Sequence, residues 1–175
     1  MSLTSKLRNY QDANARLVAL IDEMTEAQRY YKHTPEEWSA IEVAHHLSTS
    51  EYGILQQVQT PHPKARKQTL KGNLRNLALR AFMKSGKKAK APSRLPQPDN
   101  SIAWEKLRGR LTKVAAEYDA VVAALPTDKQ GYTVFKHPRA GLLTMSQTLD
   151  FLADHIKHHL PQVQRTRERA IAAAV

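Results

Sequence analysis

The chain has 175 residues, enough for one compact domain with a real core and too few for two ordinary ones. It contains no cysteine, which excludes disulfides, thiolate nucleophiles and zinc-thiolate sites, so a metal would have to be held by histidine or carboxylate. Its formal net charge is +11, but the surplus is local: residues 60–99 hold 11 Lys and Arg against the single acid Asp99, while the remainder has 16 basic and 15 acidic residues.

The opening stretch MSLTSKLRNYQD has no apolar run of the signal-peptide kind, and nowhere do about 18 apolar residues follow one another as a membrane span requires. The expectation is a cytoplasmic protein that does not engage a membrane, folded as a single domain over 1–175. Residues 3–30 place Leu3, Leu7, Tyr10, Leu17, Leu20, Ile21 and Met24 at helical spacing with no glycine or proline between them, which predicts one long first helix. A second begins at SAIE, where Ser39 caps and Glu42 reaches back, and runs to about Gln59, before TPHP stops it.

From Thr60 to Asn100 the sequence is rich in Lys, Ala and Pro, and Leu74, Leu77, Ala78, Ala81 and Phe82 form a short stripe before Gly86. This reads as a long basic crossover holding one short helix, whose stripe is expected to pack on its own bundle in preference to a second subunit. A third long helix covers roughly Ser101–Leu125, from the spacing of Trp104, Leu107, Leu111, Val114, Ala115, Tyr118 and Val122. The stretch GYTVFKHPRAG reads as a connecting loop, being short for a sheet. The last helix starts at the capping box TMSQ and continues to about Ala173, with Pro161 inside it and a bend expected there. Four long helices, one crossover and no convincing strand pair describe an all-α four-helix bundle.

Helical phase sorts the histidines. With Val43, Leu47, Ile54 and Val58 defining the inner face of the second helix, His46 lies roughly 90 degrees from its centre and His45 roughly 170, toward solvent. In the last helix Leu149, Leu152, Ile156, Leu160 and Val163 define the inner face; His159 falls roughly 50 degrees from its centre, His155 roughly 90 and His158 roughly 150. His155 and His159 are thus stacked one turn apart, a spacing that lets both reach one ion. With His46 they make a candidate three-histidine site for a divalent metal, open for water or substrate. Both helices that carry it begin with capping boxes, which suits a rigid platform.

Several separated elements resemble the DinB-like, YfiT-related family in order along the chain. EWSAIEVAHHLSTSEYGIL is similar to that family's second helix, with His46 and Glu51 in its H-L-x-x-x-E arrangement. KHPRAGLLTMSQTLDFLADHIKHHLPQ is similar to its H-P-x-x-G-x-L-T lead into a last helix carrying H-x-x-x-H and then glutamine. The resemblance implies an up-down-down-up bundle, zinc or nickel on His46, His155 and His159, and homodimers; KAPSRLPQP resembles the family's longer linker. Pro161 departs from the pattern.

The function expected is a metal-dependent enzyme whose open site activates a low-molecular-weight thiol or water for transfer to, or hydrolysis of, a small-molecule substrate. Two alternatives are a dimeric metal-binding module without chemistry and a nucleic-acid-binding module using the basic crossover at 60–99. The second is disfavoured because the crossover has only Phe82 for base stacking. Glu51, some 140 degrees from His46 in phase, is left out of the ligand set. Trp38 and Trp104 read as core or interface anchors, Asp154 as a solvated charge, Glu42 as a cap in preference to an orienting partner of His46, and His137 as a loop histidine in preference to one lining the mouth of the site.

Overall fold

The computed structural model describes residues 1–60, 62–86 and 97–174. Its elements in chain order are α1 (Leu3–Asp22), α2 (Glu26–Tyr30), α3 (Ala40–Gln59), α4 (Leu70–Lys84), α5 (Trp104–Ala123), β1 (Thr133–His137), β2 (Gly141–Thr144) and α6 (Met145–Ala172). The four long helices share one core. Helix α1 lies against α5 and α6, and α3 lies against the same two, while α4 covers α6 and the hairpin. Leu7, Tyr10, Leu17 and Ile21 of α1 meet Ile41, Val43 and Leu47 of α3, Leu107, Leu111 and Tyr118 of α5, and Leu149, Leu152 and Ile156 of α6, all buried. The mainly helical class and the apolar stripes on these helices follow the sequence pattern. Helix α6 runs unbroken through Pro161.

The structure corrects the sequence reading at three places. The single helix expected over 3–30 is two, because Thr25 forms a capping box with Gln28 and restarts the chain: Gln28 N donates to Thr25 Oγ1, and Thr25 N donates to Gln28 Oε1 at 2.9 Å. GYTVFKHPRAG, read as a loop, contains β1, which pairs antiparallel with β2. The turn is closed by Gly141 at φ 77, a backbone conformation that other residues rarely adopt, and by His137 Nδ1, which accepts from the amides of Arg139 and Ala140. Thr133 N also donates to Arg66 O at 2.9 Å, and Phe135 and Leu143 are buried, so the small hairpin is held by the crossover and the core. Third, the α4 stripe of Leu74, Leu77, Ala78 and Ala81 faces outward, and Asn76 and Leu79 are buried instead. Helix α4 ends as expected, with Gly86 at φ 68 just beyond its C-cap. Residues 87–96, including most of KAPSRLPQP, lie outside the described residues.

Within the core sits a carboxyl outside the histidine cluster, that of Glu51. The Glu51 carboxyl is fully buried; the Tyr10 hydroxyl donates to its Oε2 at 2.6 Å, while Oε1 and the nearby Tyr118 hydroxyl have no hydrogen-bond partner among the described residues. Burial pushes the Glu51 carboxyl up to about 8, with the Tyr10 bond pulling the other way. The folded protein therefore holds its proton over a range where the unfolded chain, near 4.5, has released it. The stabilisation is full below pH 4.5 and is lost as pH rises through 8. Urea unfolding of the wild type and Glu51→Gln, which keeps an acceptor for Tyr10, should show the wild type losing stability relative to the variant by up to about 1.4 kcal/mol per pH unit in that window. Parallel pH profiles would show that Glu51 is ionised in the fold.

Candidate metal centre

Helix α3 brings His46, and α6 brings His155 and His159 one turn apart, to a common corner at the edge of the core. Each helix is fixed at its start by a capping box, Ser39 with Glu42 and Thr144 with Gln147. The three residues each offer a ring nitrogen, and these nitrogens all lie within 4.8 Å of one another. His46 Nε2 and His155 Nε2 are 3.2 Å apart. The three ring centroids form a nearly regular triangle with sides of 5.1, 5.2 and 5.1 Å. The structure thus places together the residues that helical phase had grouped.

The corner is walled by aromatic rings. Trp38, immediately before the α3 cap, packs on the core and lies 5.1 Å from the His46 ring and 6.2 Å from His159, nearly parallel to the latter. Phe151, one turn before His155, stacks on it at 5.3 Å. His155 and His159 are buried and His46 is partly so. Desolvation by this wall, aided by neighbouring imidazoles, lowers His46 to about 4 and His155 well below its ordinary value; desolvation also lowers His159 to about 4, against the bond to Gln162. All three rings are therefore neutral near pH 7 and present lone pairs without competition from protons.

Gln162 fixes one tautomer. His159 Nδ1 donates to Gln162 Oε1 at 3.1 Å, which leaves the lone pair on Nε2. His155 Nδ1 is buried with no partner among the described residues. The donor set is three borderline nitrogen ligands, suited to zinc, nickel, copper or iron rather than to calcium or magnesium. The 3.2 Å gap between the facing Nε2 atoms is close to the edge of a tetrahedron with metal–nitrogen bonds of about 2.0–2.1 Å, roughly 3.3 Å. The residues present therefore fit a divalent transition metal.

The other singled-out residues are placed differently. Asp99 N donates to His45 Nδ1 at 3.2 Å, so His45 ties α3 to the end of the crossover instead of facing open solvent. His158 Nδ1 donates to Met83 O at 2.9 Å and ties α6 to α4. His137 closes the hairpin turn and packs edge-on against Phe151 at 4.7 Å, one ring removed from the three histidines. Asp154, read as a solvated charge, is buried and receives Arg80 Nε at 2.7 Å, because α4 crosses over it. Glu42 serves the cap and also receives Lys32 Nζ at 2.9 Å. Trp104 is buried and donates from Nε1 to Asp22. The wall residues Trp38 and Phe151 were not read as site residues, although Phe151 stands four positions before His155, a spacing at which helical side chains touch.

The profile of the DinB superfamily matches residues 9–163. The uncharacterized protein YuaE of Bacillus subtilis (strain 168) is 28% identical over 142 residues, which cover 79% of this chain and 82% of that relative.

The lowered histidine values carry a stability signature. The unfolded chain takes up protons near 6.5, while His46, His137 and His159 resist protonation until about 4, so the folded state loses stability as pH falls from 6.5 through 4. Urea unfolding of chelator-treated protein should show this decline, and His159→Gln should make it shallower. A decline equally steep in the variant would mean that the His159 ring is not desolvated as described.

Proposed function

The chain belongs to the DinB superfamily, and from that premise we propose that it is a metal-dependent enzyme that activates a small-molecule thiol or a water at a three-histidine centre. The observation that carries this reading is the 3.2 Å approach of two desolvated, neutral imidazoles on separate helices, with a third ring completing the triangle. In this reading His46, His155 and His159 hold zinc or nickel. Bound there, the cation supplies Lewis acidity that lowers the pKa of a thiol or water at its remaining position.

The chain's own residues set the conditions for that chemistry. Three neutral ligands leave the cation its full charge, whereas carboxylate or thiolate ligands would partly neutralise it. Gln162 holds the His159 lone pair on Nε2, and Trp38 and Phe151 exclude water from two sides. No cysteine of the chain competes for the ion, so a thiol would come from a low-molecular-weight cofactor. The four long helices take, in the same reading, the up-down-down-up order. The nucleic-acid reading is weaker than the charge of the crossover suggests, since Arg80 is committed to Asp150 and Asp154.

Tag-free protein should carry close to one equivalent of zinc or nickel by elemental analysis, and His155→Ala should carry almost none. Gln162→Leu should retain the fold and weaken the ion's affinity about 10- to 100-fold, as removal of an orienting partner does. A thiol-transfer assay with several small thiols should then show turnover in the wild type that His155→Ala lacks. Metal retained by His155→Ala would refute the ligand set, and a loaded centre with no turnover of any thiol or ester substrate would favour a non-catalytic metal-binding domain.

A further inference from the structure

Helix α4 carries two stripes at the same spacing on opposite faces. Gly72, Asn76, Leu79 and Met83 face the bundle; Leu70, Leu74, Leu77 and Ala81 face away, within roughly 60 degrees of one another. The outer stripe is the more apolar one, and its leucines are 77%, 59% and 64% exposed. Ala78 widens it. Contiguous exposed leucines of this kind mark an interaction surface, whereas isolated ones do not.

What holds α4 in this orientation is polar. Arg80 bonds Asp154 at 2.7 Å and Asp150 at 3.1 Å, Gln147 Nε2 donates to Asn73 Oδ1 at 2.9 Å, and His158 donates to Met83 O. Turning the leucines inward would break these contacts, so the stripe is displayed by design of the inner face.

The surroundings of the stripe identify its occupant. Lys71 flanks one edge, with exposed Arg75 beyond it reaching toward Gly141 of the hairpin, and Lys84 flanks the other; α4 contains no acidic residue, and the preceding loop adds exposed Lys64, Arg66 and Lys67. A second copy docked stripe to stripe would bring two such basic segments together. The ridge also lacks the Trp or Tyr anchors and the concave seat by which protein partners usually gain affinity. A leucine ridge flanked by cations and by Asn73, with no acid in its helix, is the composition of a helix lying in the plane of an anionic bilayer, leucines in the headgroup–acyl boundary and cations at the phosphates. We infer that α4 and its run-in dock this protein on anionic lipid surfaces. Among the described residues no helix is long and apolar enough to cross a membrane, so the contact is peripheral. The sequence expectation of a protein that does not engage a membrane rests on the missing signal-peptide run and the missing span.

The test is sedimentation of the full chain with large vesicles of phosphatidylcholine alone or with about a third phosphatidylglycerol. Anionic vesicles should bind at least tenfold more protein than neutral ones. The double variant Leu74→Asp/Leu77→Asp should lose at least tenfold of that binding, with unchanged circular dichroism and metal content, since both side chains face solvent. Lys71→Glu/Arg75→Glu should lose a similar amount and keeps the test alive should the first variant misfold. Absence of binding to anionic vesicles overturns the inference. So does binding that survives the leucine substitutions, a dimer that Leu77→Asp dissociates in light scattering, or salt-sensitive binding to generic DNA or an acidic protein in place of vesicles. None of these outcomes bears on the histidine centre, which is tested separately by its metal content.

Discussion

Three imidazoles occupy one corner of a helical core, and taking them out of water governs what the surrounding residues must do. A ring that is buried and uncharged still has a lone pair and an N–H to satisfy. Gln162 serves the Nδ1–H of His159, whereas His155 Nδ1 is served by nothing among the described residues, and the Nε2 atoms of His46 and His155 face each other. Between two neutral rings that contact is either a single hydrogen bond or a shared cation. The proposed function takes the second, which also gives the third ring of the triangle a role.

Helix α6 is the element on which both halves of the molecule converge. It carries two pairs of polar side chains at spacing four, His155 with His159 and Asp150 with Asp154, directed to different neighbours. The histidines meet α3. The aspartates receive Lys6 from α1 and Arg80 from α4, both in buried or half-buried contacts. Breaking such a pair by removing one partner would leave a buried charge uncompensated, which is strongly destabilising. The ion pairs thus hold the crossover against α6 on one side while the histidines define the centre on another, and the capping boxes of α3 and α6 give both a rigid start.

Much of this was legible in the sequence, for a physical reason. The rotation per residue of a helix turns spacing into direction, and that alone separated His46, His155 and His159 from His45 and His158. Phase does not reveal what lies in the chosen direction. Asp154 looked like a surface charge because its partner, Arg80, is 74 positions away, and His45 looked free because Asp99 reaches it from the far end of the crossover. Helix α4 was misjudged because its sequence offers two faces of equal period, and the outcome was decided by ion pairs formed only in the folded chain. The break after Asp22 had a visible signal in the Thr25 to Gln28 capping box. The hairpin had one too in the strand-like residues of GYTVFKHPRAG, but its strands are held by Arg66 and by burial of Phe135 and Leu143, which strand length does not reveal.

The central claim is that the three imidazoles share one cation. X-ray absorption at the metal edge of protein purified without a histidine tag measures this most directly. The account predicts a single ion with three imidazole nitrogens at about 2.0–2.1 Å and a lighter ligand completing the shell. A spectrum showing fewer than three imidazoles, or no bound metal while His46 and His155 remain hydrogen-bonded to each other, would contradict it.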